Sequence, residues 1–202
     1  MTLLLLIRHA VTEQTGKRLY GRTEGIHLSE EGRAQAERLA ERLRDLPLDA
    51  VYSSPLERCV ETARAIAGRG RPRVVRELNE VDYGDWTGRS LPALRRTKMW
   101  ARVRSAPSRV RFPSGEALVE VQRRAVASLD ALAGRHPRGT IAVVSHGDVV
   151  RLAVAQYAGV HMDLFQRIEI APASVSAVAI GDDGPRILRV NDTGDLTGLM
   201  GG

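Results

Sequence analysis

The sequence predicts an α/β fold with a mostly parallel central sheet, on three observations. Short apolar runs alternate with longer amphipathic segments, which is typical of the strands and helices of βαβ units. Leu3–Ile7 is apolar at every position, as expected for a strand buried on both faces of a parallel sheet. Ile141–Ser145 has nearly the same character. At 202 residues, the chain fits one domain spanning residues 1–202.

The first half of the chain predicts two helices around a second strand. Ser29–Leu46 carries apolar residues at helical spacing, with Ser29 as the expected N-cap. Asp49–Tyr52 predicts a short strand. We expect the next helix to be capped by Ser54 and to have Pro55 at its first position.

The second half predicts a brief strand, a long helix, a buried strand followed by a helix, and two closing strands. The expected bounds are Val74–Val75, Pro113–Gly134, Ile141–Ser145, a helix from Val149 that Asp148 caps, Ser174–Ile180 and Arg186–Val190. The glycine-rich tail Asp192–Gly202 is expected to be loose.

Composition excludes several classes of protein. Hydrophobic content of 43% and charged content of 27% are ordinary for a globular protein. No apolar run approaches the roughly 20 residues that span a bilayer, and the first run is too short for a secretory signal. The single cysteine, Cys59, excludes an internal disulfide framework and a multi-cysteine metal site. We therefore expect a cytoplasmic protein without a membrane partner.

The net charge of +6 and the pI near 10.2 raise the question of nucleic-acid binding. The basic residues are scattered, however, and many alternate with glutamate on predicted helix faces, as at Glu37-Arg38 and Glu41-Arg42. No stretch interleaves aromatic and basic residues in the way that stacks bases. Small anionic molecules are therefore the expected ligands, and nucleic acid is not.

Residues 83–115 form the expected cap or lid segment. Within it, Leu91–Arg111 is strongly basic and its periodicity is weak. One interpretation is a solvated helical face, which is the commoner outcome for a run of charges. The other is a lid whose arginines, Arg104 and Arg111 among them, bind a second anionic group of the substrate.

Chemically suitable residues follow several predicted strands. Arg8 and His9 come directly after the first strand and His146 after Ile141–Ser145, while Arg58 lies in the first turns of a helix that follows a strand. Glu80 comes just after the third strand. Because the carboxyl ends of parallel strands meet at one edge, we expect these residues to converge there.

This set of residue types suits phosphoryl transfer. A neutral imidazole can attack phosphorus, and guanidinium groups stabilise charge on the phosphoryl oxygens. A carboxyl group with a raised pKa can protonate the leaving oxygen. A metal site built from His9, His146 and Glu80 is disfavoured because the arginines would oppose a cation.

Five motifs in order resemble those of the histidine phosphatase superfamily, in its phosphoglycerate mutase-like branch. They are Arg8-His9-Ala10-Val11-Thr12, Gly21-Arg22-Thr23 with Leu28-Ser29 and Gly32, Ser54-Pro55-Leu56-Glu57-Arg58 with Thr62-Ala63, Leu78-Asn79-Glu80 with Gly84-Asp85-Trp86-Thr87-Gly88, and Ser145-His146-Gly147. The resemblance spans nearly the whole chain. It implies a three-layer α/β/α sandwich and a metal-independent phosphomonoester hydrolase that needs no cofactor.

The resemblance also implies residue roles. His9 would become phosphorylated, and Glu80 would be the proton donor and later the base. Arg8, Arg58 and His146 would complete the phosphate pocket. The matched motifs add Thr15, Gly21, Arg22, Thr23 and Gly147 as expected phosphate- or substrate-binding residues.

Three departures from the family pattern affect this set. Ala10 replaces the usual glycine and narrows the pocket slightly. Thr15 stands where many members have an asparagine that touches the phosphate, so a hydroxyl must substitute for that contact. Thr87 stands where an acidic residue often lies, which leaves Glu80 as the firmer candidate acid.

The sequence leaves alternative functions open. A phosphoglycerate mutase would return the phosphoryl group to substrate, but mutases of this family tend to carry a larger insertion between the positions of Glu80 and His146. A non-catalytic, phospho-ligand-binding member would usually have lost a histidine or an arginine of the core set, which is complete here. Hydrolysis of a small phosphorylated metabolite is the leading hypothesis. Related proteins suggest a homodimer.

Overall fold

A computed structural model describes residues 1–194 and contains one six-stranded sheet. The strands are β1 Thr2–Arg8, β2 Ala50–Ser53, β3 Arg73–Val74, β4 Thr140–Ser145, β5 Val175–Gly181 and β6 Gly184–Asp192. Their order is β3-β2-β4-β1-β5-β6. The first four in that order are mutually parallel, while β5 and β6 are antiparallel additions. The predicted α/β fold with a mostly parallel sheet is confirmed.

Helices cover both faces of the sheet. They are α1 Glu30–Arg42, α2 Glu57–Ala67, α3 Leu91–Arg95, α4 Lys98–Ser105, α5 Leu118–Arg135 and α6 Gly147–Tyr157. Leu5 and Ile7 of β1 pack in one buried cluster with α1 and α2, while Leu4 and Leu6 pack in another with α5 and α6. This alternation explains the uninterrupted apolar run, because each face of β1 meets a helical layer.

Four helix starts or ends differ from the sequence prediction, including that of α6, which begins at Gly147 and not at Val149. The helix predicted over Ser29–Leu46 ends at Arg42, because the chain tightens into i to i+3 turns that still bury Leu43 and Leu46. Ser29 does cap it, accepting from Gly32 N at 3.0 Å. The predicted cap at Ser54 is wrong: α2 begins at Glu57, since the Ser54 hydroxyl is bonded to His146 instead.

The helix predicted from Pro113 begins at Leu118. Residues 113–116 form a turn, closed by a bond from Phe112 N to Glu116 O, that brings Gly115 against the backbone of Asp82 and Gly84. The third strand is Arg73–Val74, one residue earlier than predicted. The predicted loose tail is Asp192–Gly202. Asp192 is the last residue of β6, and residues 195–202 lie outside the described residues.

Segment 83–115 packs on α5 and α6 through its own apolar cluster. Trp86, Leu94 and Phe112 are buried there, and Trp86 stacks on Trp100 at 6.1 Å between ring centroids. Its basic side chains are exposed: Arg95, Arg96, Lys98, Arg102, Arg104, Arg109 and Arg111. In the part of the chain that the structure describes, no helix is long and apolar enough to cross a membrane.

Candidate active site

A cavity of about 220 Å³ opens at the carboxyl edge of β1 and β4. The predicted residues that line it are Arg8, His9, Thr15, Gly21, Arg58, Glu80 and Gly147. The register of the two strands brings this set together, because Arg8 pairs with Ser145 and the next residues are His9 and His146. The imidazole centroids of these two histidines are 5.4 Å apart. The predicted convergence at one sheet edge is therefore observed.

His9 is held as a neutral imidazole of defined tautomer. Its Nδ1 lies 2.7 Å from the carbonyl oxygen of Ala10, which can only accept, so Nδ1 carries the proton. The lone pair is then on Nε2. Burial, reinforced by the positive charge of Arg58, lowers the pKa of His9 from 6.5 to about 3. A neutral imidazole with its lone pair on Nε2 can act as a nucleophile without losing a proton first.

His146 occupies the N-cap position of α6, without a capping bond from its side chain, and is fully buried. Its Nε2 lies 2.7 Å from the hydroxyl of Ser54, and its Nδ1 lies 3.8 Å from Oε2 of Glu80. Burial first, and then the charge of Arg58, lowers the pKa of His146 well below the ordinary histidine value. The second imidazole is therefore also neutral. His146 does not itself line the cavity, but its ring contacts that of His9, which does.

Arg58 is only 4% exposed and is fixed from several sides. Its Nη2 donates to Gly21 O at 2.8 Å and its Nη1 to Thr23 O at 3.4 Å. The Thr62 hydroxyl donates to Arg58 O and accepts from Ala10 N, which joins α2 to the loop after β1. This explains the Arg58 and Thr62 motif: the helix that supplies the arginine is tied to the backbone beside His9.

Arg8 lies against the start of α6. Its Nη1 donates to Ile170 O at 2.7 Å, and its buried Nε has no hydrogen-bond partner within the described residues. A Cβ at position 147 would lie 3.2 Å from that Nε, so Gly147 leaves room for the guanidinium. Two guanidinium groups and the start of a helix therefore converge on the cavity, as in anion-binding sites.

Glu80 is the acidic member of the set. Its side chain is largely buried, and its Oε1 accepts from Val81 N at 2.9 Å. Burial, reinforced by the negative charge of Asp148, raises the pKa of Glu80 to about 7. A carboxyl group with this pKa is protonated in a substantial fraction of molecules at neutral pH, so it can donate a proton.

The remaining predicted site residues divide into two groups. Thr15 lines the cavity, with its Oγ1 accepting from Thr12 N at 2.9 Å. Arg22 and Thr23 do not line it. Arg22 donates from Nε to Glu80 O at 3.0 Å, and Thr23 donates from its hydroxyl to Tyr20 O at 2.7 Å. These two residues contact the backbone of the loops that form the site.

Sequence reasoning missed several lining residues. The sequence predicts that Asp148 caps α6, and this prediction is wrong. The Asp148 carboxylate accepts from the Tyr83 hydroxyl at 2.8 Å and from Arg151 Nη1 at 2.7 Å, and all three residues line the cavity. Arg18 also lines it and donates to Gly88 O. Asp148 follows the His146 motif directly, so its proximity could have been inferred, but its partners could not.

Among residues 1–194, the structure contains no group of three or more histidine, cysteine, aspartate or glutamate side chains arranged to hold a metal ion. Cys59 lies beneath the site, with Sγ 3.5 Å from His146 Nε2. Burial raises the pKa of its thiol, so Cys59 is a packing residue, as the sequence suggests.

An α/β sheet with a neutral histidine between two arginines at its carboxyl edge defines a phosphoryl-transfer enzyme of the histidine-nucleophile class. The sequence model of the histidine phosphatase superfamily (branch 1) matches residues 4–193. The chain belongs to this superfamily.

Relatives and solved structures agree with this assignment. The chain is 33% identical over 200 residues to phosphoserine phosphatase 1 of Hydrogenobacter thermophilus, covering 96% of this chain and 93% of that protein. YhfR of Bacillus stearothermophilus superposes with a TM-score of 0.88 at 28% identity, covering 95% and 98% of the two chains. A mutant phosphoserine phosphatase of Entamoeba histolytica, in complex with phosphoserine, gives a TM-score of 0.88 at 25% identity, covering 96% and 98%.

We predict that His9 stays neutral, with its proton on Nδ1, when the pH is lowered from 8 to 5. The reason is that burial lowers its pKa to about 3. Nitrogen-15 NMR of histidine-labelled protein tests this, with His9→Gln to assign the resonance. His27 is the internal control, because its contact with Glu61 raises its pKa and it should be protonated at pH 5. Protonation of His9 above pH 5 would contradict the prediction.

Proposed function

We propose that this chain hydrolyses phosphomonoesters of a small metabolite through a phosphohistidine formed on His9. The observation that carries the proposal is the Nδ1 bond of His9 to Ala10 O, which leaves the Nε2 lone pair for the substrate. Arg8 and Arg58, which line the cavity with His9, supply the charge that a phosphate requires.

In the first step, Nε2 of His9 attacks phosphorus and the bond from phosphorus to the ester oxygen breaks. Arg8, Arg58 and neutral His146 stabilise the charge on the non-bridging oxygens, while the Glu80 carboxyl group protonates the departing alkoxide. In the second step, Glu80, now a carboxylate, takes a proton from a water molecule that attacks the phosphohistidine. Inorganic phosphate is released and both side chains return to their starting states.

The pH dependence follows from two pKa values. His9 must be neutral, which its pKa of about 3 ensures down to low pH. Glu80 must be protonated for the first step, and its pKa of about 7 means that this form is lost as the pH rises above neutral. The rate of phosphoenzyme formation should therefore fall as the pH rises above neutral. This decrease with pH should be absent in Glu80→Gln.

We further propose that the substrate carries a second anionic group, as phosphoserine does. Phosphoserine is named as the ligand or substrate of two relatives of this chain. The sequence hypothesis placed recognition of that group in Leu91–Arg111, but only Leu91 of that segment lines the cavity. The additional cations at the cavity are Arg18 and Arg151. Arg18 is the exposed one of the two, and its loop, Gly16–Tyr20, contains no acidic residue.

Three further features belong to this proposal. We place the enzyme in the cytoplasm and expect a homodimer. Residues 83–115 are the expected cap over the site within a single domain, because Tyr83 and Leu91 contribute to the cavity.

The first test is turnover by the purified chain in the presence of EDTA. We expect metal-independent release of phosphate from p-nitrophenyl phosphate and from a panel of phosphorylated metabolites. In His9→Ala, kcat should fall by at least about 10³-fold, because the nucleophile is removed. Isomerisation of 3-phosphoglycerate, assayed alongside, would exceed phosphate release if the chain were a mutase. Retention of activity in folded His9→Ala would contradict the proposal.

The second test concerns the substrate. We predict that Arg18→Met raises KM about tenfold for phosphoserine or 3-phosphoglycerate, because a charge-assisted hydrogen bond to the carboxylate is lost. KM for p-nitrophenyl phosphate, which has no second anionic group, should stay unchanged. Lys17→Met is the matched control, since Lys17 is an exposed neighbour that does not line the cavity. An equal change for both kinds of substrate would rule out this role of Arg18.

A further inference from the structure

The segment that carries Glu80 has no regular secondary structure. It joins two single-turn 3-10 helices, Arg76–Leu78 and Gly84–Trp86, and residues 79–83 between them belong to no helix or strand. An irregular segment is not held by a ladder of backbone hydrogen bonds, so its carbonyl groups need other donors. The side chains that bind those carbonyl groups therefore determine where Glu80 lies.

Backbone N–H groups bind Asp82 O and Tyr83 O, and Arg124, on α5, supplies most of the side-chain donors. Its Nη1 donates to the carbonyl oxygens of Glu77 at 2.6 Å and of Asn79 at 2.7 Å. Its Nη2 donates to Glu80 O at 3.0 Å. A single guanidinium thus binds three carbonyl groups within four residues, and the last of them belongs to the candidate acid itself.

Glu116 fixes the orientation of that guanidinium. Its two carboxylate oxygens accept from Nε and Nη2 of Arg124, each at 3.0 Å, in a bidentate pair. Oε2 also accepts from Asp82 N at 3.0 Å. Burial alone would raise the pKa of Glu116, but the bonds from Arg124 and Asp82 N outweigh it and lower the pKa, so the carboxylate is ionised at neutral pH.

Arg22 completes the arrangement from the opposite side. Its Nη2 lies 2.8 Å from Oε1 of Glu116, and its Nε donates to Glu80 O at 3.0 Å. The carbonyl of Glu80 therefore accepts from two arginines that share one carboxylate. We call Arg22, Glu116 and Arg124 the Glu80 clamp. None of the three lines the cavity.

We propose that Arg124 and Glu116, with Arg22, are positioning residues that hold the Glu80 carboxyl group where it can protonate the leaving oxygen. The inference rests on the proposed role of Glu80. Among the proposed phosphate-binding residues, Arg8 ends β1, His9 follows it directly and Arg58 lies in α2. Their side-chain hydrogen bonds do not involve the Glu80 clamp. Loss of the clamp should therefore impair proton donation and leave phosphate binding intact.

The test uses a series of aryl phosphates whose leaving phenols differ in pKa, from p-nitrophenol to phenol. The measured quantity is kcat/KM, which reports the steps up to release of the phenol and not the later hydrolysis of the phosphohistidine. A good leaving group departs without a proton, so only the poorer ones need Glu80. In the wild type, protonation by Glu80 keeps the dependence on leaving-group pKa shallow.

In Glu80→Gln, kcat/KM should depend steeply on the pKa of the leaving phenol. In Arg124→Met and Glu116→Gln this dependence should also be steeper than in the wild type. We expect a loss of about tenfold to a hundredfold in kcat/KM for phenyl phosphate and less than about twofold for p-nitrophenyl phosphate, as for a displaced catalytic group. Inhibition by inorganic phosphate should be unchanged. Arg123→Met, at an exposed neighbour on α5, is the control and should behave as the wild type.

The outcomes separate this inference from the function on which it rests. If Glu80→Gln does not steepen the dependence on leaving-group pKa, Glu80 is not the acid, and both its proposed role and the clamp are overturned, while the phosphohistidine on His9 is tested separately by His9→Ala. If Glu80→Gln does but neither clamp variant does, only the clamp is overturned. Equal losses for both substrates in the clamp variants indicate a general structural role and also overturn it. Glu116→Gln keeps the shape of the side chain, so the test stands even if Arg124→Met does not fold.

Discussion

The parallel pairing of β1 with β4 is the constraint on which the site depends. The pairing runs from Leu3 opposite Thr140 to Arg8 opposite Ser145, and His9 N continues it by donating to Ser145 O at 2.9 Å. A shift by one residue would turn every side chain of β1 to the other face, so that Arg8 and His9 would no longer lie beside Ser145 and His146. The observed register is therefore what brings the two histidines together.

Burial then determines the chemistry of that edge. The positive charges of Arg8 and Arg58 lie beside two imidazoles that burial keeps neutral, so the positive charge next to these rings comes from arginines and not from protonated histidines. A phosphate group brings the compensating negative charge. Glu80 experiences the opposite effect, because burial and Asp148 favour its protonated form. The same burial thus favours a neutral His9 and a protonated Glu80, the two forms that the proposed mechanism requires.

The parts of this account that follow from the sequence are those set by local pattern. Apolar runs ending in Arg8-His9 and in His146 identify the strands and the edge where they meet, and Ser29 identifies a helix start. Side-chain partners across the fold do not follow from local pattern. Ser54 resembles a helix cap until the structure brings His146 to it, and Arg22 resembles a phosphate ligand until Glu116 and Glu80 O are seen to bind it. The basic segment 91–111 illustrates the same limit, since only the packing of Trp86 and Leu94 determines that its arginines point to solvent.

The central claim is that His9 becomes covalently phosphorylated during turnover. The most direct measurement is to quench the enzyme with base while it turns over p-nitrophenyl phosphate, and to locate the phosphoryl group by peptide mass spectrometry. The account predicts an acid-labile, base-stable phosphate on the peptide that contains His9, and none in His9→Ala. Phosphate on His146 or another residue, or turnover without any phosphoenzyme in a rapidly quenched sample, would contradict it.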